Sequence, residues 1–144
     1  MSNLYQSTSI NPLDISGSAL HSQRVRMNTI ANNIANVNTT RNDEGFMEIY
    51  RRKEVVLKTG NPQETGSRRY GVEVKDVKGD PSDFRKLYQP GHPDADEYGY
   101  VKMPNVHTPL EMVDMIEASR AYEANLTAIQ VTKSMFSKSL EILS

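Results

Sequence analysis

The sequence predicts a mainly α-helical protein with a small β-rich middle, its long N- and C-terminal helices pairing as a coiled-coil-like core. Three observations carry that reading. Apolar residues recur at helical spacing near the N-terminus, a strong helix start at Thr108 opens an uninterrupted C-terminal run, and most prolines and glycines lie between the two. The chain divides accordingly into an N-terminal helical segment at 1–40, a β-rich middle at 41–107 and a C-terminal helix at 108–144.

The first helix is expected from Asn11 to about Val37. Leu13, Leu20, Met27 and Ile34 recur every seven residues, and Ile30 and Val37 begin a second row beside them. Ser16 and Gln23 hold the earlier places of that row, so the apolar seam strengthens toward its end. Gly17 within this pattern predicts a close approach by another element. Asn32, Asn33 and Asn36 then crowd the helix end. Asparagine is a poor helix former that tolerates a left-handed terminal residue, so these three are expected to set the end of the helix.

The middle segment carries short apolar or alternating runs at Phe46–Leu57, Gly71–Val77, Phe84–Tyr88 and Tyr98–Val101, which read as strands. Thr59-Gly60-Asn61-Pro62 and Lys78-Gly79-Asp80-Pro81 are turns between them, and Glu64–Arg69 reads as an exposed loop. Arg51-Arg52-Lys53, balanced by Glu48 and Glu54, reads as a solvated strand face.

The C-terminal helix has the clearest start. Thr108-Pro109-Leu110-Glu111 offers an N-cap threonine, proline where its missing N–H costs nothing, and glutamate to complete a capping box. From Pro109 to Leu143 such a helix would run roughly 50 Å. Its seam is Met115, Ser119, Tyr122, Leu126, Ile129, Lys133, Phe136, Leu140 and Leu143, widened by a stripe through Val113, Ala121, Ala124, Ala128, Val131 and Met135. A helix this long and apolar needs a partner along its length. The shorter N-terminal helix is the natural first one, and it leaves part of the face for other molecules.

Composition narrows the function classes. The 144 residues hold 17 Lys plus Arg against 18 Asp plus Glu, a net charge of −1, which lacks the basic footprint of a nucleic-acid binder. Cysteine is absent, so disulfides, thiolate zinc sites and thiol catalysis are excluded. No run approaches the roughly 20 apolar residues that span a bilayer, and the first ten residues lack the features of a cleavable signal peptide. A protein that is not membrane-embedded is expected.

Little in the chain points to catalysis. His21, His92 and His107 have no metal-ligand spacing, and no nucleophile elbow, phosphate loop or dinucleotide fingerprint is present. No enzyme and no cofactor are expected. Asp94, Asp96 and Glu97 have the alternate spacing of a calcium loop without its glycine and distal glutamate. They read better as a solvated acidic turn, although a soluble divalent-ion-binding regulator using the 92–97 loop is the alternative function.

Ala31-Asn32-Asn33-Ile34-Ala35-Asn36-Val37-Asn38-Thr39 resembles the N-terminal signature of bacterial flagellar rod and hook axial proteins. Tyr50-Arg51-Arg52-Lys53, Asp80-Pro81-Ser82-Asp83-Phe84-Arg85, Gly91-His92-Pro93-Asp94-Ala95-Asp96 and Gly99 to Val106 look like the proximal rod members of that family. So do Glu111 to Ile116 and Ala118 to Asn125. The resemblance implies a structural rod subunit in the basal body, exported without a cleaved signal by the flagellar type III apparatus. It implies assembly with copies of itself, other proximal rod proteins and the ring-to-rod junction protein, giving a drive shaft around an export channel. The candidate assembly residues are Leu20, Met27, Ile30, Asn32, Asn33, Ile34, Asn36 and Val37 on the first helix. Met115, Tyr122, Leu126, Ile129, Phe136, Leu140 and Leu143 are those on the last.

Overall fold

A computed structural model describes residues 12–41, 44–60 and 70–143, with the side chain of Leu143 outside the description. The order is α1 (Pro12–Ala35), β1 (Lys53–Gly60), β2 (Gly71–Gly79), β3 (Arg85–Tyr88), β4 (Tyr100–Met103) and α2 (Thr108–Leu143). The strands form two antiparallel ribbons, β1 with β2 and β3 with β4. The mainly helical class with a β-rich middle is therefore present. The expected loop at 64–69 lies outside the described residues.

Helix α1 opens at Pro12, whose fixed φ suits a first turn that has no N–H partner to lose. Its end differs from expectation. No non-glycine residue among the described ones has a positive φ. The helix closes instead by tightening, with the Val37 amide on the Ile34 carbonyl, while the Asn36 side chain donates to the Asn32 carbonyl at 2.8 Å. Thr39 Oγ1 then donates to Asn36 Oδ1. Asn36 ends the helix through its side chain, not through a left-handed backbone.

Helix α2 starts one residue earlier than expected, because the Glu111 amide already donates to the His107 carbonyl at 3.0 Å. The Glu111 carboxylate does not close a capping box. It points into the protein, toward Arg52 and Asn33.

Strand β1 begins at Lys53, seven residues after the expected start at Phe46. The backbone before it has other partners: the Tyr50 amide donates to the Thr39 carbonyl, and the Arg52 amide to Asn105 Oδ1 at 2.8 Å. Those bonds occupy the groups a ladder would need. A bulge between Val56 and Leu57 shifts the β1–β2 register, so that Val56 faces Asp76 and Leu57 faces Val74.

The β1–β2 ribbon lies against α1 through two serines. Val72 N donates to Ser18 Oγ at 3.1 Å, and buried Ser22 Oγ donates to the Val72 and Ser18 carbonyls. Gly71 permits this contact. Its φ is +137°, and a Cβ there would come within 2.1 Å of Ser18 Oγ. Gly17, the expected point of close approach, has open space where a Cβ would sit.

The helices run antiparallel. Asn33, near the end of α1, touches Glu111 at the start of α2, while Leu20, His21 and Arg24 surround Tyr122 further along. At equal rise per residue, Pro12 lies opposite about residue 132, so the last dozen or so residues of α2 run past the start of α1. Apolar burial is thin. Among the described residues the buried hydrophobic side chains are Ile30, Val101, Met103, Val106 and Ala118, with polar Ser22, Thr29, Asn33, Thr40, Asn105 and Glu111 buried beside them. Polar ties therefore carry much of the cohesion that a larger apolar core would supply.

Candidate assembly surfaces

The α2 helix presents apolar residues to solvent over most of its length. Leu110, Met112, Val113 and Ile116 are exposed near its start. Near and past the start of α1, Val131, Met135, Phe136, Leu140 and Ile142 are all more than half exposed, Phe136 at 55% and Leu140 at 68%. So many exposed large apolar side chains on one helix exceed what scattered surface residues produce.

The expected seam residues divide along this geometry. Leu20, Met27, Ile34 and Val37 of α1 are half-buried, as are Met115, Tyr122 and Ile129 of α2, while Ile30 and Asn33 are buried within the chain. Asn32, Leu126, Phe136 and Leu140 are exposed. Asn36 is half-buried at the helix end it closes.

At the base of the helix pair sits a polar junction that the sequence reading did not find. Glu111 is 1% exposed. Its Oε1 accepts from Arg52 Nε at 2.6 Å and its Oε2 from Asn33 Nδ2 at 3.0 Å. Asn33 also donates to the Lys53 carbonyl and accepts from Lys53 N and Tyr50 OH, so its amide bridges both helices and the entry to β1. Asn105 extends the junction, receiving the Arg52 amide and donating to Ser82 Oγ at 2.8 Å.

Arg52 also faces Asp80 at 3.5 Å, Asp114 at 3.6 Å and Glu54 at 3.9 Å. Burial works against its charge, but Glu111, Glu54 and Asp80 outweigh that effect and hold the guanidinium above its ordinary pKa. The Ser82 amide and hydroxyl, helped by Arg52, hold Asp80 below the usual carboxylate range. Burial, and then the Glu111 charge, push the Tyr50 phenol up. Arg51 lies over the Phe84 ring at 4.4 Å and donates to the Asp80 carbonyl. The expected solvated basic face is thus reduced to Lys53.

Relatives settle what kind of protein presents these surfaces. A flagellar basal-body rod protein FlgC of Bacillus subtilis is 44% identical, across 94% of this chain and 98% of its own length. FlgC proteins of Aquifex aeolicus and Yersinia enterocolitica are 42% and 43% identical, across 91% and 92% of this chain and 94% and 96% of theirs. The chain belongs to the FlgC family of flagellar basal-body rod proteins. The family model described as flagella basal body rod protein matches residues 13–41, and that described as flagellar basal body rod FlgEFG protein C-terminal matches 98–142. In this chain those matches cover nearly all of α1, and β4 with almost all of α2. The family is structural, not enzymatic. No described helix is long and apolar enough to cross a membrane.

The acidic loop is spoken for. Asp94 accepts from Arg41 and from Thr40 Oγ1, and Asp96 Oδ1 accepts the Tyr98 and Tyr100 amides. Among the described residues no three His, Asp or Glu side chains gather as a metal set, so the ion-binding alternative has no support here. The Arg41 and Thr40 hydrogen bonds hold the Asp94 carboxyl below the usual carboxylate range. The folded chain thus binds that proton more weakly than the unfolded one. The stabilisation is complete above the unfolded carboxylate pKa of about 3.9 and is lost as pH falls through the lower folded value. Asp94→Asn removes this contribution. The fall in urea midpoint between about pH 7 and about pH 3 should therefore be smaller in the variant than in the parent chain, and equal falls would contradict the tie.

Proposed function

We propose that this chain is a subunit of the proximal rod that joins its neighbours through α1 and α2, a coiled-coil-like antiparallel pair completed by other copies. The exposed apolar end of α2 is the observation that carries this reading. A surface of that kind pairs with a different surface on the next copy. Such contacts do not close on themselves and propagate as a helix. The terminal segments 1–40 and 108–144 would then form the inner tube around the export channel, and the middle segment 41–107 would pack outside and carry torque. Other proximal rod proteins, the ring-to-rod junction protein and the type III export apparatus are the partners this assignment implies. A thin apolar core also suits a chain that must pass through an export channel unfolded.

The test is placement. Expressed with a tag in a bacterium lacking its own proximal rod subunit of this family, the chain should co-purify with detergent-extracted basal bodies and restore swimming. Recovery only in the soluble fraction, with no basal bodies formed, would overturn the proposal.

A further inference from the structure

The outward face of the β3–β4 ribbon is unusual. In its register Lys86 stands directly opposite Lys102, and Tyr88 opposite Tyr100. These four side chains share one face, because successive residues of a strand point to opposite sides. The other face carries Val101 and Met103, which are buried. Like charges directly opposed across a ribbon destabilise it, and a two-stranded ribbon has little stability to spare. Neither lysine forms an ion pair among the described residues. Both are exposed, and Tyr88 and Tyr100 are 62% and 45% exposed beside them. The two rings meet edge to face at 5.3 Å, giving a firm aromatic platform flanked by two cations.

A surface of the opposite character lies elsewhere on the same chain. Between the Asp80–Asp83 turn and the first turns of α2 runs a groove with four carboxylates, Asp80, Asp83, Glu111 and Asp114, against the single guanidinium of Arg52. Its rim carries Leu110 and Val113, 64% and 55% exposed. Asp83 is exposed and forms no ion pair among the described residues.

We propose that the Lys86–Lys102 face of one copy docks into the Asp83–Asp114 groove of the next. The lysines meet the surplus carboxylates, and Tyr88 and Tyr100 cover Leu110 and Val113. Charge complementarity selects a second copy over a nucleic acid or an anionic membrane, since two lysines on a chain of net charge −1 make no basic footprint. Tyrosine is also enriched at protein interfaces. The contact joins different patches, so it repeats in one direction and adds a peripheral register to the inner helical tube. It rests on the rod reading, because copies must first lie side by side.

Two experiments test it in basal bodies. Since the chain has no cysteine, Lys102→Cys with Asp83→Cys on one chain gives a pair whose oxidation reports only this contact. Assembled basal bodies should yield a ladder of crosslinked copies, and neither single variant should. Separately, Lys86→Glu with Lys102→Glu should lower incorporation by about tenfold or more, because like charges would then face each other. Adding Asp83→Lys and Asp114→Lys to the same chain should restore it. Incorporated double-cysteine chain without a ladder, or a folded and exported four-fold variant that stays depleted, would overturn the docking alone. Absence of the parent chain from basal bodies would bring down the rod reading and the docking with it.

Discussion

Replacing Glu111 with alanine should lower the melting temperature by about 10 °C, the largest loss of stability expected from any single polar truncation in this chain. The carboxylate is almost wholly buried and serves two donors, Arg52 Nε at 2.6 Å and Asn33 Nδ2 at 3.0 Å. Breaking a buried charge pair by removing one partner costs about 3–5 kcal/mol when nothing replaces it. Arg52 keeps Asp80, Asp114 and Glu54 nearby, which places the cost at the lower end, about 3 kcal/mol. Glu111→Gln is the sharper probe. Both partners of the carboxylate donate, whereas a glutamine has only one acceptor oxygen and must aim its own N–H groups at a donor. Retaining shape without two acceptors should therefore still cost about 2 kcal/mol. Thermal melts followed by circular dichroism decide it. A Glu111→Gln chain melting with the parent would mean that the junction is a consequence of the fold and not one of its supports.

That junction also shows what a linear sequence conceals. The start of α2 was legible to within one residue, because Thr108-Pro109 is a local signal and helix starts are local events. The purpose of Glu111 was not, because its partner Arg52 lies 59 residues away and nothing near either residue names the other. Read locally, Glu111 completes a capping box and Arg52 belongs to a solvated run. Only the fold shows that each satisfies the other. The same reason explains the late start of β1, whose preceding amides are captured by Thr39 and Asn105. It also explains why Gly71, and not Gly17, is where two elements touch. Periodicity located the two helices. It did not separate seam positions that fold the chain, such as Ile30, from those that face outward, such as Phe136, because both satisfy the same spacing.

Paired substitutions on α2 separate those two roles. Phe136→Asp with Leu140→Asp should leave the stability of the isolated chain within about 0.5 kcal/mol of the parent, since both side chains are already more than half exposed. Assembly should fail almost completely. If these residues seat between neighbouring helices, the variant loses a buried aromatic anchor and places two unpaired carboxylates in an apolar contact. Each such change costs a few kcal/mol, so incorporation should fall by roughly a hundredfold or more. Export should continue, because the proposed assembly gives this surface a role only after export. The expected phenotype is a non-swimming cell that releases the intact subunit. Ile129→Asp should behave differently, because Ile129 is half-buried near the start of α1 and contributes to the chain's own helix pair. It should block incorporation and also lower the melting temperature of the purified chain. Swimming cells carrying Phe136→Asp with Leu140→Asp would show that the exposed end of α2 is not where the rod is held together. Loss of swimming with an unchanged melt would place the lost free energy between subunits, as the proposed assembly through the exposed end of α2 expects.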